Sequence, residues 1–399
     1  MPHKPTIAII GSGPAGLMAT HILASAGCHV VLFEKRKSPG RKLLIAGSSG
    51  LNITFDAPAG EFHKFYSKES TLWIKPVIEA FAPQDWIEFI HGLGIKTFKG
   101  TSRRYFVEQM KASTLLKTWT GKLESLGVEM KFGHECIGFE KTGDGKIKIG
   151  FSDKPSFTCD ALCFCLGGAS WEPDESPLRW TKIFLDHQIK LNSFTPSNVG
   201  YEIDWPEGLV AKDDRAPLKG VKLTTSKGSK TGDLMLTPYG IEGTPVYFVG
   251  TTGRAELDLK PDLTLDQIKR KLNLSKENRS PLRRAKKYLS LSPAGISLLA
   301  HFGSEDELKD LELFCKLVKS VPLDLKAPRP LEEAISSAGG IDLNEVDENL
   351  MLKKQPGVFI AGEMLDWDAP TGGFLIQACV SQGWVAGQGI LKFLVKNKM

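Results

Sequence analysis

TIAIIGSGPAGLMATHILASAGCHVVLFE, residues Thr6 to Glu34, is the stretch whose reading decides the fold. Thr6 to Ile10 is a short apolar run with β-branched side chains, the pattern of a strand buried on both faces. Gly11-Ser12-Gly13-Pro14-Ala15-Gly16 follows, and an apolar-periodic stretch then runs to Ala26. Pro14 near the start of that stretch and Gly27 just past its end mark a helix. His29 to Phe33 is a second apolar strand, closed by Glu34. Strand, helix and strand in this order predict a parallel sheet and place the chain in the α/β class.

The turn between the first strand and the helix is a G-x-G-x-x-G dinucleotide fingerprint in the context that gives it meaning. Gly11 permits the tight turn, Gly13 lets the backbone approach a pyrophosphate, and Gly16 lets helix and strand pack closely. The helix N-terminus, with Ser12, Pro14 and Ala15 around it, offers free N–H groups and partial positive charge to phosphates. Glu34 stands 18 residues beyond Gly16, where a carboxylate accepts from a ribose 2′-OH and disfavours a 2′-phosphate.

Beyond this unit the pattern is mixed. Helices are expected around Trp73 to Leu93 and Ser113 to Leu126, and strands from Val128 to Glu140 and Lys146 to Phe151, joined by a hairpin turn at Thr142-Gly143-Asp144-Gly145. Ala161 to Leu166 is another buried strand, ended by Gly167-Gly168. From Asn192 the chain becomes richer in Pro and Gly, with Ser226 to Gly232 read as a polar loop. A buried strand at Gly357 to Gly362 and a long apolar helix from Phe374 to Phe393 end the sequence. The expected architecture is a doubly wound Rossmann-like domain made from 1–191 and 336–399. A middle insertion, 192–335, is β-rich in 192–262 and 318–335 and helical in 263–317.

Whole-chain quantities fit that plan. At 399 residues the chain is too long for one compact core, with roughly 150 residues expected per domain. Apolar residues make up 41% and charged residues 24%, as in ordinary globular proteins and unlike disordered ones. The net charge of +5 is far from that of a dedicated nucleic-acid binder. No apolar run is long enough for a membrane span, and no secretory signal precedes the first strand. Seven scattered Cys in a chain this long point to a reducing cytoplasm. Eight His lie without ligand spacing, so no metal is expected.

The far end of the chain decides which dinucleotide. Gly362 and Glu363 close a buried strand, and Thr371-Gly372-Gly373 precedes the final helix. A second strand–GxGxxG–helix unit is absent. Glu363 could instead accept from ribityl hydroxyls, which only a flavin has. The amides of Gly373, Phe374 and Leu375 would then face the flavin N1 and C2 carbonyl, where a helix N-terminus stabilises negative charge. FAD is therefore the expected cofactor, with Lys35, Cys136 and Gly167 completing its contacts.

Several segments together resemble the BaiN-like and aminoacetone oxidase-like flavoproteins, a set of bacterial FAD-dependent oxidoreductases. They are Gly40-Arg41-Lys42, Ala46-Gly47-Ser48-Ser49-Gly50-Leu51-Asn52, Leu166 to Trp171, Thr237-Pro238-Tyr239-Gly240-Ile241-Glu242-Gly243, Ser337 to Gly340, and Ala361 to Asp366 running on to Phe374. The resemblance spans nearly the whole chain. It implies FAD held by both chain ends under a middle insertion, with Arg41, Lys42, Gly47, Ser48 and Asn52 along the cofactor. Small residues in that loop suit the approach of amides to the diphosphate, and Arg41 adds a charge-assisted contact. Leu51-Asn52 stands where other members have Arg-Cys-Asn, so no redox-active cysteine carries over. Glu172 to Pro177, with three acidic residues, also departs from its Gly-rich relatives.

The expected reaction is hydride transfer between a small molecule and flavin N5. Tyr239, Glu242, Asp366 and Trp367 are substrate-side candidates without an assigned acid or base, and NAD(P)H and oxygen remain open as electron partners. Two alternatives stand beside it. One is an NAD-dependent dehydrogenase without flavin. The other is an RNA-binding protein with a degenerate site, using the basic stretch Lys276 to Lys287, although a solvated helical face is the simpler reading of that stretch. Cys163 and Cys165, about 6.5–7 Å apart at Cα on a strand, read as core thiols and not as a disulfide.

Overall fold

In the computed structural model, residues 4–47, 50–58, 60–67, 70–171, 178–209, 215–274 and 280–396 are described. The chain forms two compact units, one from 1–195 with 335–399 and the other from 196–334.

The first unit is built on a parallel sheet. Among the described residues its strands run in the order Val358–Ile360, Ala161–Phe164, Thr6–Ile10, His29–Glu34, Glu129–Phe132. Ile7 to Ile10 and Val30 to Phe33 are all buried, as strands covered on both faces require. The fingerprint helix, Pro14–Ser25, follows the central strand. The final helix, Phe374–Lys396, packs on that helix. Gly383 and Gly387 set it against the fingerprint helix. A Cβ on Gly383 would lie 2.2 Å from the Ala15 carbonyl oxygen, and one on Gly387 would lie 2.9 Å from Ile22 Cβ. The final helix meets the fingerprint helix's backbone at Gly383 and the Ile22 side chain at Gly387.

The strand-like run from Val128 to Glu140 divides at Gly133, whose φ is +69°. Its first half joins the parallel sheet as Glu129–Phe132. Its second, Cys136–Lys141, opens an antiparallel meander with Ile147–Phe151 and Lys154–Cys159. The expected hairpin turn lies between the first two of these strands, with Gly145 at φ +80°. Helical periodicity around Trp73 to Leu93 resolves into Thr71–Ala80 and Pro83–Gly92, broken where Pro83 opens the second helix.

The second unit is an antiparallel sheet in the order Tyr201–Glu202, Gly240–Gly243, Gly228–Thr237, Ala216–Thr225, Gly253–Asp258, Val321–Leu325. Helices between Leu265 and Lys319 supply the other half of its core, with Ile268, Leu272, Leu298 and Phe314 fully buried. The segment Ser226 to Gly232 is not a loop. Gly228 begins a strand paired with Ala216–Thr225, which leaves only Ser226 and Lys227 in the turn. Its polar composition reflects a hairpin tip in solvent, where nothing asks for apolar side chains. The Leu191–Ser197 and Ser336–Ile341 strands pair with each other where the chain leaves and re-enters the first unit.

Candidate cofactor and active site

The fingerprint turn is tightly constrained. Gly11 has φ +104°, and a Cβ there would lie 2.2 Å from the Cys165 carbonyl oxygen. A Cβ on Gly16 would lie 2.0 Å from the Gly11 carbonyl oxygen, so helix and turn touch through that position. Gly13 differs: its φ is −72°, and no atom comes within 4 Å of where its Cβ would be. The Gly11 amide donates to the Phe33 carbonyl at 2.8 Å and the Ser12 amide to Glu34 at 3.1 Å. Pro14 has no N–H, so the donors left for a ligand are the amides of Gly13, Ala15 and Gly16.

Glu34 ends its strand facing the turn. One carboxylate oxygen accepts from the Ser12 amide and hydroxyl, and the other from the Arg36 amide at 2.9 Å. The Gly40 amide donates back to the Ser12 hydroxyl at 3.2 Å, tying the next segment to the same point. From there the short helix Arg41–Ala46 sends two cations across to the loop after Ala161–Phe164. Arg41 donates to the Trp171 carbonyl and Lys42 to the Gly168 carbonyl, both at 2.8 Å.

A single cleft in the first unit collects most of the residues that the sequence singles out. Gly11 to Ala15, Glu34, Lys35, Arg41, Lys42, Cys136, Gly167, Gly362 and Glu363 all line it. Both ends of the chain therefore contribute to one cavity. The cleft also takes in Cys165 and Leu166, and Arg36, His134, Glu135, Arg179, Trp180 and Cys379, the last six of which the sequence reading passes over. Adjacency to Glu34 and Cys136 could have flagged Arg36 and Glu135. Nothing local signals Arg179, Trp180 or Cys379.

Glu363 is half-buried on this cleft, and its carboxylate accepts no hydrogen bond among the described residues. Burial raises its pKa above the ordinary carboxylate value, Lys42 opposes that shift, and Asp368 adds to it. The thiols on the cleft are poor nucleophiles. Cys136 is pushed up to about 12 by burial. Cys165 is raised by its contact with the Cys163 thiol and by burial, and Cys379 is raised by burial. Cys163 and Cys165 are free thiols with their sulfurs 3.7 Å apart.

The other predicted residues that are described do not line the cleft. Gly16 packs on Gly11, and a Cβ on Gly47 would lie 2.4 Å from Ala112 Cβ. Gly372 and Gly373 have φ of +120° and +100°, and a Cβ on Gly373 would lie 2.7 Å from the Thr54 backbone. The Gln377 amide donates to the Gly373 carbonyl, so Gly373 opens the final helix. That helix start is anchored by Phe374, whose ring stacks on Phe65 and whose carbonyl accepts from the Tyr66 hydroxyl at 2.8 Å. The first-turn amides of Phe374 and Leu375 have no partner within the helix. The Asn52 side-chain oxygen is buried without a partner. Ser48 and the segment Glu172 to Pro177 lie outside the described residues.

Of the substrate-side candidates, Asp366 and Trp367 spend their polar atoms on the first unit itself. Asp366 accepts from the Asn192 side chain at 2.6 Å and the Gly339 amide at 3.0 Å, and the buried Trp367 indole donates to the Gly362 carbonyl at 3.0 Å. Tyr239 and Glu242 lie in the second unit, where the Tyr239 hydroxyl donates to Glu242 and Arg329 sits 4.4 Å from the Tyr239 ring centroid. The basic stretch falls partly outside the described residues. Arg283, Lys286 and Lys287 project from the helix Pro281–Tyr288 into solvent. Among the described residues no group of His, Cys, Asp and Glu is set to hold a metal, and no helix is long and apolar enough to cross a membrane.

The cleft suits FAD on two observations: the open space at Gly13 and the unpartnered Glu363 carboxylate. Comparison with known proteins bears on the same point. Residues 5–389 match the family model described as HI0933-like protein Rossmann domain. The chain is 22% identical over 408 residues to the 3-dehydro-bile acid delta(4,6)-reductase of Clostridium scindens, covering 96% of this chain and 98% of that protein. It is also 22% identical over 408 residues to the ribosomal RNA dihydrouridine synthase of Escherichia coli, covering 96% and 97%. Among solved structures, 3-ketosteroid delta1-dehydrogenase from Sterolibacterium denitrificans shares the fold, with TM-score 0.53, 11% identity and coverage of 98% and 100%.

Proposed function

The chain belongs to the HI0933-like Rossmann family and is an FAD-dependent oxidoreductase, and on that premise we propose that it reduces a carbon–carbon double bond conjugated to a carbonyl group. One observation carries the cofactor half of this reading: a single cleft is lined by the fingerprint turn from one chain end and by Gly362 and Glu363 from the other. The amides of Gly13, Ala15 and Gly16 take the diphosphate, and Glu34 takes the adenosine ribose. Glu363 accepts from the ribityl hydroxyls, and the amides opening the final helix favour negative charge at the ring. Lys42 holds the Gly168 carbonyl and lies close enough to Glu363 to favour its ionised form.

Held by the amides of Gly13, Ala15 and Gly16 and by Glu34 and Glu363, reduced FAD would supply the hydride for such a reduction, and the substrate carbon beside the carbonyl would take a proton. The substrate class is supported by the two full-length relatives. Reduction of a delta(4,6) bile acid and synthesis of dihydrouridine both add two hydrogens across a ring double bond. The NAD-without-flavin alternative leaves Glu363 without a role.

The test is an anaerobic half-reaction. Holoenzyme with its flavin reduced is mixed with a 3-oxo-4,6-diene steroid acid and, separately, with a uridine-rich RNA. Return of the oxidised flavin spectrum with one equivalent of product reduced at one carbon–carbon double bond, from either substrate, supports the reading. Flavin that stays reduced with both, yet reoxidises at once in oxygen, refutes it.

A further inference from the structure

The start of the final helix is flanked by a small antiparallel sheet in the same unit. The strand Asn52–Phe55 pairs with Arg104–Val107, and Phe55 stands opposite Arg104 in the register. The Phe55 ring lies 5.0 Å from that of Phe374, the first residue of the helix, and the Thr54 backbone closes on Gly373. The chain enters the second strand through a tight turn, in which the Gly100 amide donates to the Arg104 carbonyl at 2.9 Å and Arg103 has φ +63°. Two consecutive arginines leave this turn in different directions. Arg103 is exposed and reaches Asp56 at 3.7 Å, whereas Arg104 is half-buried and extends to the helix start.

Gly372 makes room for that side chain. A Cβ on Gly372 would lie 3.1 Å from Arg104 Nε and 3.6 Å from its Cζ and Nη2, so the guanidinium rests against main chain two residues before Phe374. A guanidinium is charged at every pH the protein survives. It stands where the helix itself presents partial positive charge, and the two fields add.

We propose that Arg104 is a tuning residue for the flavin, a second source of positive charge at the N1 and C2-carbonyl edge that raises the reduction potential beyond what the helix amides supply. The inference rests on the proposed placement of the ring over the amides of Gly373 to Leu375. Negative charge gathers on that edge when the ring is reduced, and a fixed cation beside it stabilises the reduced form without having to reorganise. Arg104 thereby eases transfer of electrons into the ring from the donor that reloads it.

The experiment compares FAD-loaded wild type, Arg104→Gln and Arg104→Lys in two measurements that need no turnover. One is the dye-equilibrated potential. The other is sulfite affinity, read from bleaching of the visible flavin band. Sulfite bonds to N5 through its sulfur lone pair and leaves one negative charge on the N1 and C2-carbonyl edge, so its affinity reports positive charge there. Arg104→Gln should bind sulfite about tenfold more weakly, the worth of one charge-assisted contact. Its potential should fall by about 30 mV, the same factor for a two-electron couple. FAD content should stay full, since the fingerprint turn is untouched. Arg104→Lys, which keeps the charge, should recover most of both effects. Arg104→Met, which keeps the packing of the stem without the charge, replaces the glutamine variant should that one misfold. Equal losses in the lysine and glutamine variants would overturn the proposal, because packing on Gly372 and not charge would then be the cause. Unchanged sulfite affinity and potential in Arg104→Gln, beside a lowered potential in Gly373→Ala, would also overturn it while leaving the placement of the ring intact. No change in either variant would overturn both.

Discussion

Gly11 and Gly13 stand two residues apart in one motif, yet they should fail in opposite ways when replaced by alanine. At Gly13 the backbone is ordinary, with φ −72°, and a Cβ meets nothing within 4 Å. Gly13→Ala should therefore leave the apoprotein within about 1 kcal/mol of wild type, a weaker helix cap being offset by a stiffer unfolded chain. The methyl group would, however, occupy the space through which a diphosphate reaches the backbone amide. Losing one or two hydrogen bonds to a charged group costs about 1.5–3 kcal/mol, or roughly 10- to 100-fold in FAD affinity. Gly11→Ala meets the reverse situation: φ is +104°, and its Cβ would lie 2.2 Å from a main-chain oxygen of the neighbouring strand. Backbone strain and overpacking together should destabilise the apoprotein by about 3 kcal/mol or more. The assay is urea unfolding of both apoproteins beside FAD titration followed by flavin fluorescence. If Gly13→Ala binds FAD like wild type, the diphosphate does not lie on this turn and the cofactor assignment fails.

Three further outcomes follow from the same geometry. Because burial raises the pKa of Glu363 in the folded protein, its contribution to apoprotein stability is complete below the ordinary glutamate value and is lost as pH rises through the raised one. Glu363→Gln should remove that slope in unfolding measured across pH, and in wild type FAD should bind more tightly as pH rises through the same window, since ribityl donors favour the ionised form. Gly373→Ala would press a Cβ to 2.7 Å from the Thr54 backbone and displace the start of the final helix; dye-equilibrated titration should show the flavin potential lowered by roughly 30 mV or more, about 1.4 kcal/mol for two electrons. Gly383→Ala would push on the Ala15 carbonyl at 2.2 Å, so thermal unfolding should show a loss of about 1–3 kcal/mol accompanied by weaker FAD binding, because Ala15 also supplies a cofactor-facing amide.

What could be read from the sequence is what is local. The strand–turn–helix–strand unit of Thr6 to Glu34 is encoded by period, proline and glycine within one short window, and the structure reproduces it within a residue. The closing strand and the long final helix are equally self-contained. Partners distant in the chain are not. The period of Val128 to Glu140 is that of a strand throughout, and only the tertiary structure shows that it serves two sheets. The polar hairpin at Ser226 and Lys227 carries loop composition because it projects into solvent. At the site, Glu34 and Glu363 are recognisable because a motif fixes their spacing. Arg179 and Trp180 reach the cleft from a segment with no such marker. Asp366 and Trp367 show the opposite case, being residues with chemical potential whose polar atoms are spent on the backbone and on Asn192.

The most direct test of the central claim is a crystal structure of the protein with FAD bound. The diphosphate oxygens are expected on the amides of Gly13, Ala15 and Gly16, the adenosine ribose at Glu34, the ribityl hydroxyls at Glu363, and the ring's N1 edge over the amides of Gly373 to Leu375. A dinucleotide lying outside the fingerprint cleft, or a flavin ring directed away from the start of the final helix, would contradict the account.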